Sequence, residues 1–254
     1  MILLREIVDP SVLENSEELV TIVGAGGKTS TMFSLARELR SLGKRVLVTT
    51  TTAIYEPSAK EYDRLYTGDR KSLTKKIPNF HNSRNSGEIT VWGSKTDHQG
   101  KLQGIKPEDI DAIFKAREFS WILVEGDGAK RKNIKAPKDH EPVIPSAATI
   151  VIGVIGMEVL GKPVDENSVH GIAPFIEVTG AKSGDKIEEE VLRRLIFHEK
   201  GLFKGAPPGA KRILLLNQCE DIEIRNRALA FAEDLSIPYL VTSLQKGKVY
   251  GAKK

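Results

Sequence analysis

Apolar residues in this chain come in short β-branched runs separated by stretches of helical spacing. Leu19-Val20-Thr21-Ile22-Val23 ends in glycines and predicts a buried strand. From Thr29 to Leu42, apolar side chains recur at Met32, Phe33, Leu35, Ala36 and Leu39, the spacing of a helix, with Gly43 placed to stop it. Val46-Leu47-Val48 starts a second strand and runs into Thr49-Thr50-Thr51-Thr52. Strand, helix, strand is a βαβ unit, which predicts a parallel sheet with a right-handed crossover.

Further strands are predicted at 89–92, 121–124, 149–154, 212–216 and 239–241. Helices are predicted at 107–119, with Pro107 near its start, at 187–197 and at 221–235. Residues from about 57 to 86 are polar, basic and weakly periodic, with a short helix expected near Lys71 to Lys76. No repeat or long linker divides the chain. The expectation is one α/β domain over 1–254, with an irregular insert at about 57–86.

The glycines after the first strand carry the candidate chemistry. In Gly24-Ala25-Gly26-Gly27-Lys28-Thr29-Ser30, a glycine-rich turn joins a strand to a helix. Backbone N–H groups and the positive end of a helix can surround phosphates there. The lysine of such a loop reaches the β- and γ-phosphates, and its hydroxyl residue ligates Mg²⁺. Lys28 and Thr29 fill those positions. The full eight-residue pattern would place glycine at position 22, where this chain has Ile22. The strand before and the helix after are nevertheless the required setting. The expected fold is therefore a P-loop NTPase-like three-layer sandwich with a mostly parallel central sheet, binding ATP or GTP with Mg²⁺.

Val124-Glu125-Gly126-Asp127-Gly128 closes another predicted strand. Carboxylates at the C-terminal edge of a parallel sheet lie where such sheets bind ligands. Glu125 and Asp127 are candidates to hold Mg²⁺ or position water beside Lys28, and Gly128 to sense a γ-phosphate through its N–H. After the strand at 212–216, Asn217-Gln218-Cys219-Glu220-Asp221 partly matches the base-reading sequence of GTP-binding proteins, which makes Asn217 and Glu220 candidate base contacts. Helix capping by Asn217 and Asp221 is the equal alternative. Lys130, Arg131, Lys132, Lys135 and Lys138 follow the acidic strand end and suit an anionic second substrate as well as a solvated face. His140, Glu141 and His170 are weaker acid–base candidates, and the five histidines lack the spacing of a transition-metal site.

Composition narrows the class. With 40% hydrophobic and 28% charged residues the chain reads as globular, and a net charge of +4 is too small to argue for nucleic acid. Arg5 and Glu6 arrive too early for a secretory segment, and no apolar run approaches the ~18 residues of a membrane span. Cys219 is the only cysteine and reads as a small buried hydrophobe. A cytoplasmic location is expected, with neither membrane nor nucleic acid as partner.

Taken in order, Val23 to Ser30, Val48 to Thr52, Val124 to Ala129, Lys135-Ala136-Pro137 with His140 to Pro145, and Leu214 to Asn217 resemble the YqeC family, along most of the chain. Two positions differ from the family pattern, which often has alanine at the place of Gly126 and arginine at that of Gly171. The resemblance implies a P-loop accessory protein that helps mature a selenium-dependent molybdenum hydroxylase, with the client enzyme or its cofactor as partner. More distantly, Glu125 to Gly128 is similar to the acidic-x-x-glycine of metallocentre-chaperone GTPases, and Gly24 to Thr29 to the ATP loop of Mur ligases. An ATP-dependent ligase or kinase acting on an anionic small molecule is an alternative of another class. A non-hydrolysing module that holds a nucleotide cofactor is a third.

Overall fold

The run at 19–23 becomes strand β1 (Glu18–Gly24), buried from Leu19 onward. The computed structural model describes residues 3–8, 17–76 and 87–254. A short helix α1 (Leu4–Ile7) precedes β1 and packs on the helix that follows it, α2 (Lys28–Ser41). In chain order come β2 (Arg45–Thr50), β3 (Ala53–Tyr55), β4 (Arg64–Thr67), α3 (Arg70–Lys76), β5 (Glu88–Gly93), β6 (Lys101–Gln103), α4 (Pro107–Lys115) and β7 (Trp121–Glu125). The second half holds β8 (Ile134–Lys135), β9 (Ile150–Gly156), β10 (Val169–His170), α5 (Ile172–Thr179), α6 (Glu189–Phe197), β11 (Lys211–Asn217), α7 (Ile222–Glu233), β12 (Tyr239–Ser243) and β13 (Lys248–Lys253).

Nine strands form one sheet in the order β13-β12-β11-β9-β1-β7-β2-β5-β4. Every pairing is parallel except β12 with β13. Alternation along the strands sends their side chains into separate cores. Val20, Ile22, Val46, Val48, Leu123 and Ile152 point to one face, where Met32, Leu35, Ala36 and Leu39 of α2 cover them. Leu19, Leu47, Ile122 and Val124 point to the other, against Ile110 and Ile113 of α4. On that face too, Val151, Ile155, Leu214 and Leu216 pack against α5, α6 and α7. Helices on both faces of a mostly parallel sheet make the expected three-layer α/β sandwich. Continuous apolar runs in β1, β7 and β9 follow from burial on both sides.

Local differences have local causes. Helix α4 stops at Lys115, short of the predicted 119, because Arg117 enters the left-handed region at φ 55°. The segment expected to be irregular is partly regular. Within it, β4 pairs parallel to β5 at the sheet edge, and α3 supplies the short helix. Residues 77–86 of that expected insert lie outside the described residues. Strand β4 escapes a pattern reading because it is half solvated, with Arg64 and Thr67 exposed. Among the described residues, no helix is long and apolar enough to cross a membrane.

Register places the candidate residues. Ile22 and Thr50 both lie opposite Glu125, Gly24 lies opposite Val154, and Asn217 lies opposite Gly156. The C-terminal ends of β1, β2, β7, β9 and β11 thus share one edge, where an open α/β sheet takes its ligands. The threonine tract ties this edge together. Thr49 Oγ1 donates to the Trp92 carbonyl at 2.8 Å, Thr50 Oγ1 to the Glu125 carbonyl at 2.9 Å, and Thr51 Oγ1 to the Val143 carbonyl at 2.7 Å.

Candidate functional site

Above that edge opens a cleft of about 750 Å³, with Gly26, Gly27, Lys28, Thr29 and Ser30 on its floor. Glycine is required in the loop. Gly26 sits at φ 87°, and a Cβ there would lie 2.2 Å from the Gly156 nitrogen. Gly27, at φ 127°, would drive one into the Asn217 amide at 2.5 Å. Loop and sheet are therefore in backbone contact. The Ala25 N–H donates to the Val154 carbonyl at 2.9 Å and the Gly26 N–H to the Lys132 carbonyl at 3.1 Å. With those amides engaged and Gly24 and Ala25 buried, the donors left to face a ligand are at the first turn of α2. That turn carries the positive end of a 14-residue helix.

Lys28 is buried, and its Nζ donates to the Gly24 carbonyl at 2.7 Å. The same ammonium lies 3.2 Å from Asp127 Oδ1 and 3.8 Å from Glu125 Oε1. Asp127 Oδ1 nonetheless lacks a hydrogen bond of good geometry. The Lys28–Asp127 contact is therefore Coulombic rather than directional. An ammonium held this way can turn towards a phosphate without breaking a carboxylate hydrogen bond.

The two acidic candidates occupy different depths. Glu125 lines the cleft and accepts from Thr29 Oγ1 at 2.7 Å. Burial pushes its carboxyl above the usual range, against the opposing pull of Lys28 and the Thr29 hydroxyl. Asp127 lies beneath the cleft floor, 1% exposed. Its Oδ2 accepts from the Gly24 N–H at 3.2 Å and pairs with Lys135 Nζ at 3.1 Å. Mg²⁺ takes hard oxygen donors, keeps several waters and borrows substrate phosphates, so one or two protein oxygens suffice. The adjoining Thr29 hydroxyl and Glu125 carboxylate fit that donor set, and the enclosed Asp127 does so less well. Among the described residues, no group of three or more His, Cys, Asp or Glu side chains is arranged to hold a metal alone.

Lys135 is the residue a motif reading passes over. Only 1% exposed, it donates to Glu141 Oε2 and to the Gly128 carbonyl, both at 2.7 Å, besides pairing with Asp127. Burial alone would raise the Glu141 carboxyl, but Lys135 draws it below its ordinary value. A basic run normally faces water, so residue type alone does not separate Lys135 from Lys130 or Lys138. The separating signal is the flanking Ile134 and Ala136, which turn this stretch into the short buried strand β8. Strand β10 pairs with β8 and sets His170 opposite Lys135. Burial, then the charges of Lys135 and Lys138, hold the His170 imidazole below its ordinary pKa. His140 is exposed.

At the far end of the loop, Asn217 is buried and fully used. Its Nδ2 donates to the Gly26 carbonyl at 2.8 Å, and its Oδ1 accepts from the Leu244 N–H and the Thr242 hydroxyl, both at 3.1 Å. Glu220 accepts from the Ser243 hydroxyl, and Asp221 caps α7 through the Glu223 and Ile224 N–H groups. Of that segment it is Gln218, in a left-handed turn at φ 63°, that lines the cleft. Burial pushes the Cys219 thiol up to about 12, which leaves it an inert packing group.

Similarity to other proteins follows the same segments. The family described as YqeC protein matches residues 20–173, from β1 through the glycine-rich loop, the acidic strand end and β8 to β10. The chain is 36% identical over 227 residues to "Uncharacterized protein YqeC" of Escherichia coli strain K12, an alignment covering 86% of each chain. No solved structure matches it at a significant level. The match spans well over half of the chain and contains the loop, Glu125, Asp127 and Lys135 in one stretch, so this protein belongs to the YqeC family.

Proposed function

We propose that the cleft binds Mg²⁺ with ATP or GTP, and that the protein hydrolyses the nucleotide as an accessory factor maturing a selenium- or molybdenum-containing hydroxylase. The observation that carries the nucleotide reading is the arrangement at the start of α2. A buried Lys28, held by the Gly24 carbonyl and facing Asp127, and the Thr29 hydroxyl on Glu125 stand at a positive helix end over an open cleft. The likeness of the loop and strand ends to a family described in those terms carries the maturation role.

In this reading Lys28 contacts the β- and γ-phosphates, and the first-turn N–H groups of α2 receive the phosphate oxygens. Thr29 and Glu125 would hold Mg²⁺, which when bound would neutralise charge on the transferred phosphoryl group. Asp127 keeps the Lys28 ammonium at the floor and fixes the loop through the Gly24 N–H. Gly128, whose carbonyl Lys135 anchors, gives the chain a fixed peptide at the cleft wall near the terminal phosphate. Asn217 holds the loop from the opposite side. Gln218 takes over the place of candidate base contact.

Calorimetry with Mg²⁺ and ATP or GTP tests the reading in wild type, Lys28→Ala and Thr29→Val. Wild type is expected to bind one of the two, and a ligand at a hundredfold excess over its Kd should add about 2.7 kcal/mol of stability. Both variants should weaken binding by about a hundredfold or more, the loss of one or two charge-assisted contacts. Thr29→Val keeps the buried charges intact, so its result does not depend on how Lys28→Ala folds. A wild type that binds neither nucleotide would overturn the reading.

A further inference from the structure

The wall of the cleft beyond the acidic strand end is built differently from the floor. Strands β3 and β6 pair into a small antiparallel sheet that carries Tyr55 and Lys101. The loop after Gly128 brings Lys130 and Arg131 to the same cleft. Tyr55 lines that cleft and is 57% exposed, which leaves its ring open to a ligand. Arg131 places its guanidinium carbon 5.1 Å from the ring centroid, and Lys101 its Nζ 5.5 Å away. Among the described residues, no carboxylate pairs with Lys101, Lys130 or Arg131.

The backbone holds these cations in place at some strain. Lys130 and Arg131 are consecutive non-glycine residues in the left-handed region, at φ 45° and 61°. Such a pair persists where its surroundings over-determine it. Here the Lys132 N–H returns to the Ala129 carbonyl at 2.9 Å, the Lys132 carbonyl binds the Gly26 N–H, and the Asn133 carbonyl binds the Gly156 N–H at 2.8 Å. The loop is stitched to the phosphate loop on one side and presents its unpaired charge to the cleft on the other.

From this wall we infer a second ligand subsite, for an acid whose anionic group lies on a planar ring. The unpaired cations call for an anion. The half-exposed Tyr55 ring and the planar Arg131 guanidinium both favour a flat partner. A nucleobase would use the ring but leave the three cations without purpose, since it is neutral. The triphosphate would use cations, but Lys28 and the α2 terminus already serve it. The inference rests on the nucleotide reading only in calling this ligand the second one. It marks the protein as one that brings a flat organic acid beside a nucleotide.

Calorimetry with 2-naphthoate as probe tests it, with cyclohexanecarboxylate as a non-planar acid of equal charge. Titrations are run on the free protein and on protein saturated with Mg²⁺ and the β,γ-imido analogue of ATP. Naphthoate should bind both forms, and cyclohexanecarboxylate about tenfold more weakly, the worth of one aromatic contact. Arg131→Gln and Tyr55→Leu, both at exposed positions, should each weaken naphthoate about tenfold and leave the nucleotide unchanged. Lys28→Ala should lose the nucleotide and keep naphthoate. Equal naphthoate binding by wild type and both wall variants overturns the subsite. So does competition between naphthoate and nucleotide, or a loss of nucleotide affinity in Arg131→Gln, which would return the wall to the triphosphate. If no nucleotide binds at all, the nucleotide reading falls, while naphthoate binding to the free protein still decides the subsite.

Discussion

The floor and the wall of the cleft both carry positive charge, yet they use it in opposite ways. At the floor, Lys28 and Lys135 are buried and face Glu125, Asp127 and Glu141 in one connected set. At the wall, Lys101 and Arg131 stand over an exposed tyrosine with Lys130 lining the same cleft, and among the described residues none of the three forms a salt bridge. A buried charge is tolerated only when it is paired and hydrogen-bonded, so the floor must be complete before any ligand arrives. A solvated charge has no such requirement, so the wall can wait for a ligand to complete it. The lesson is that a lysine in a basic run takes its role from the burial of its neighbours.

Removing one cation from each region gives the largest expected contrast. Lys135→Met leaves Asp127 and Glu141 without their shared partner in a buried setting. Deleting one member of such a set costs about 3 kcal/mol or more, or roughly 6–12 °C in Tm for a chain this long. Lys130→Met, at an exposed position, should stay within about 0.5 kcal/mol of wild type. Equal losses in the two variants, measured by thermal or urea unfolding, would show that burial does not separate floor from wall.

That contrast also marks how far the sequence could be read. Strand, loop and helix from Leu19 to Leu42 were legible because a buried parallel strand and an amphipathic helix leave different periods. The strand ends at Glu125 and Asn217 were legible for the same reason. Less accessible was what each polar side chain does there. Asn217 and Gln218 are adjacent and chemically alike, but the left-handed turn at Gln218 sends one to the glycine-rich loop and the other to the cleft. That turn has no glycine to announce it. Tyr55 stayed hidden because a three-residue strand is too short to show alternation, and its partner β6 lies some forty-five residues along the chain.

The floor should also answer to pH through Glu125. Burial raises this carboxyl, so the folded state holds its proton more tightly than the unfolded chain, whose carboxyl titrates near about 4.3. Stability from this group is fully present below that value and falls as pH rises through the raised folded value. Glu125→Gln keeps an acceptor for the Thr29 hydroxyl and removes the charge. Its stability relative to wild type should therefore improve from pH 4 to pH 7 in the ligand-free protein, as followed by urea unfolding. With Mg²⁺ and nucleotide the order should reverse, because the variant lacks the carboxylate proposed for the metal. A variant whose pH profile parallels wild type would remove Glu125 from the connected set of buried charges.

The smallest effect belongs to His170, which reports on the floor from outside it. Its imidazole is held below its ordinary pKa by burial and by Lys135, so the folded state binds its proton less well than the unfolded chain does. Stability from this group is present above the unfolded value of about 6.5 and is lost as pH falls towards the folded value. His170→Asn should flatten that loss between pH 6.5 and the acid side, by an amount visible only as a change of slope. NMR titration gives the sharper measurement, since the His170 ring should titrate below the ordinary midpoint in wild type. In Lys135→Met, kept folded at low temperature, the midpoint should move up, because the strongest neighbouring cation has gone. Lys130→Met should move it less, since the Lys130 charge is a lesser cause than that of Lys135. If both variants moved it equally, the buried lysine and the exposed one would be electrostatically equivalent at this ring, contrary to the stronger coupling expected where water is excluded.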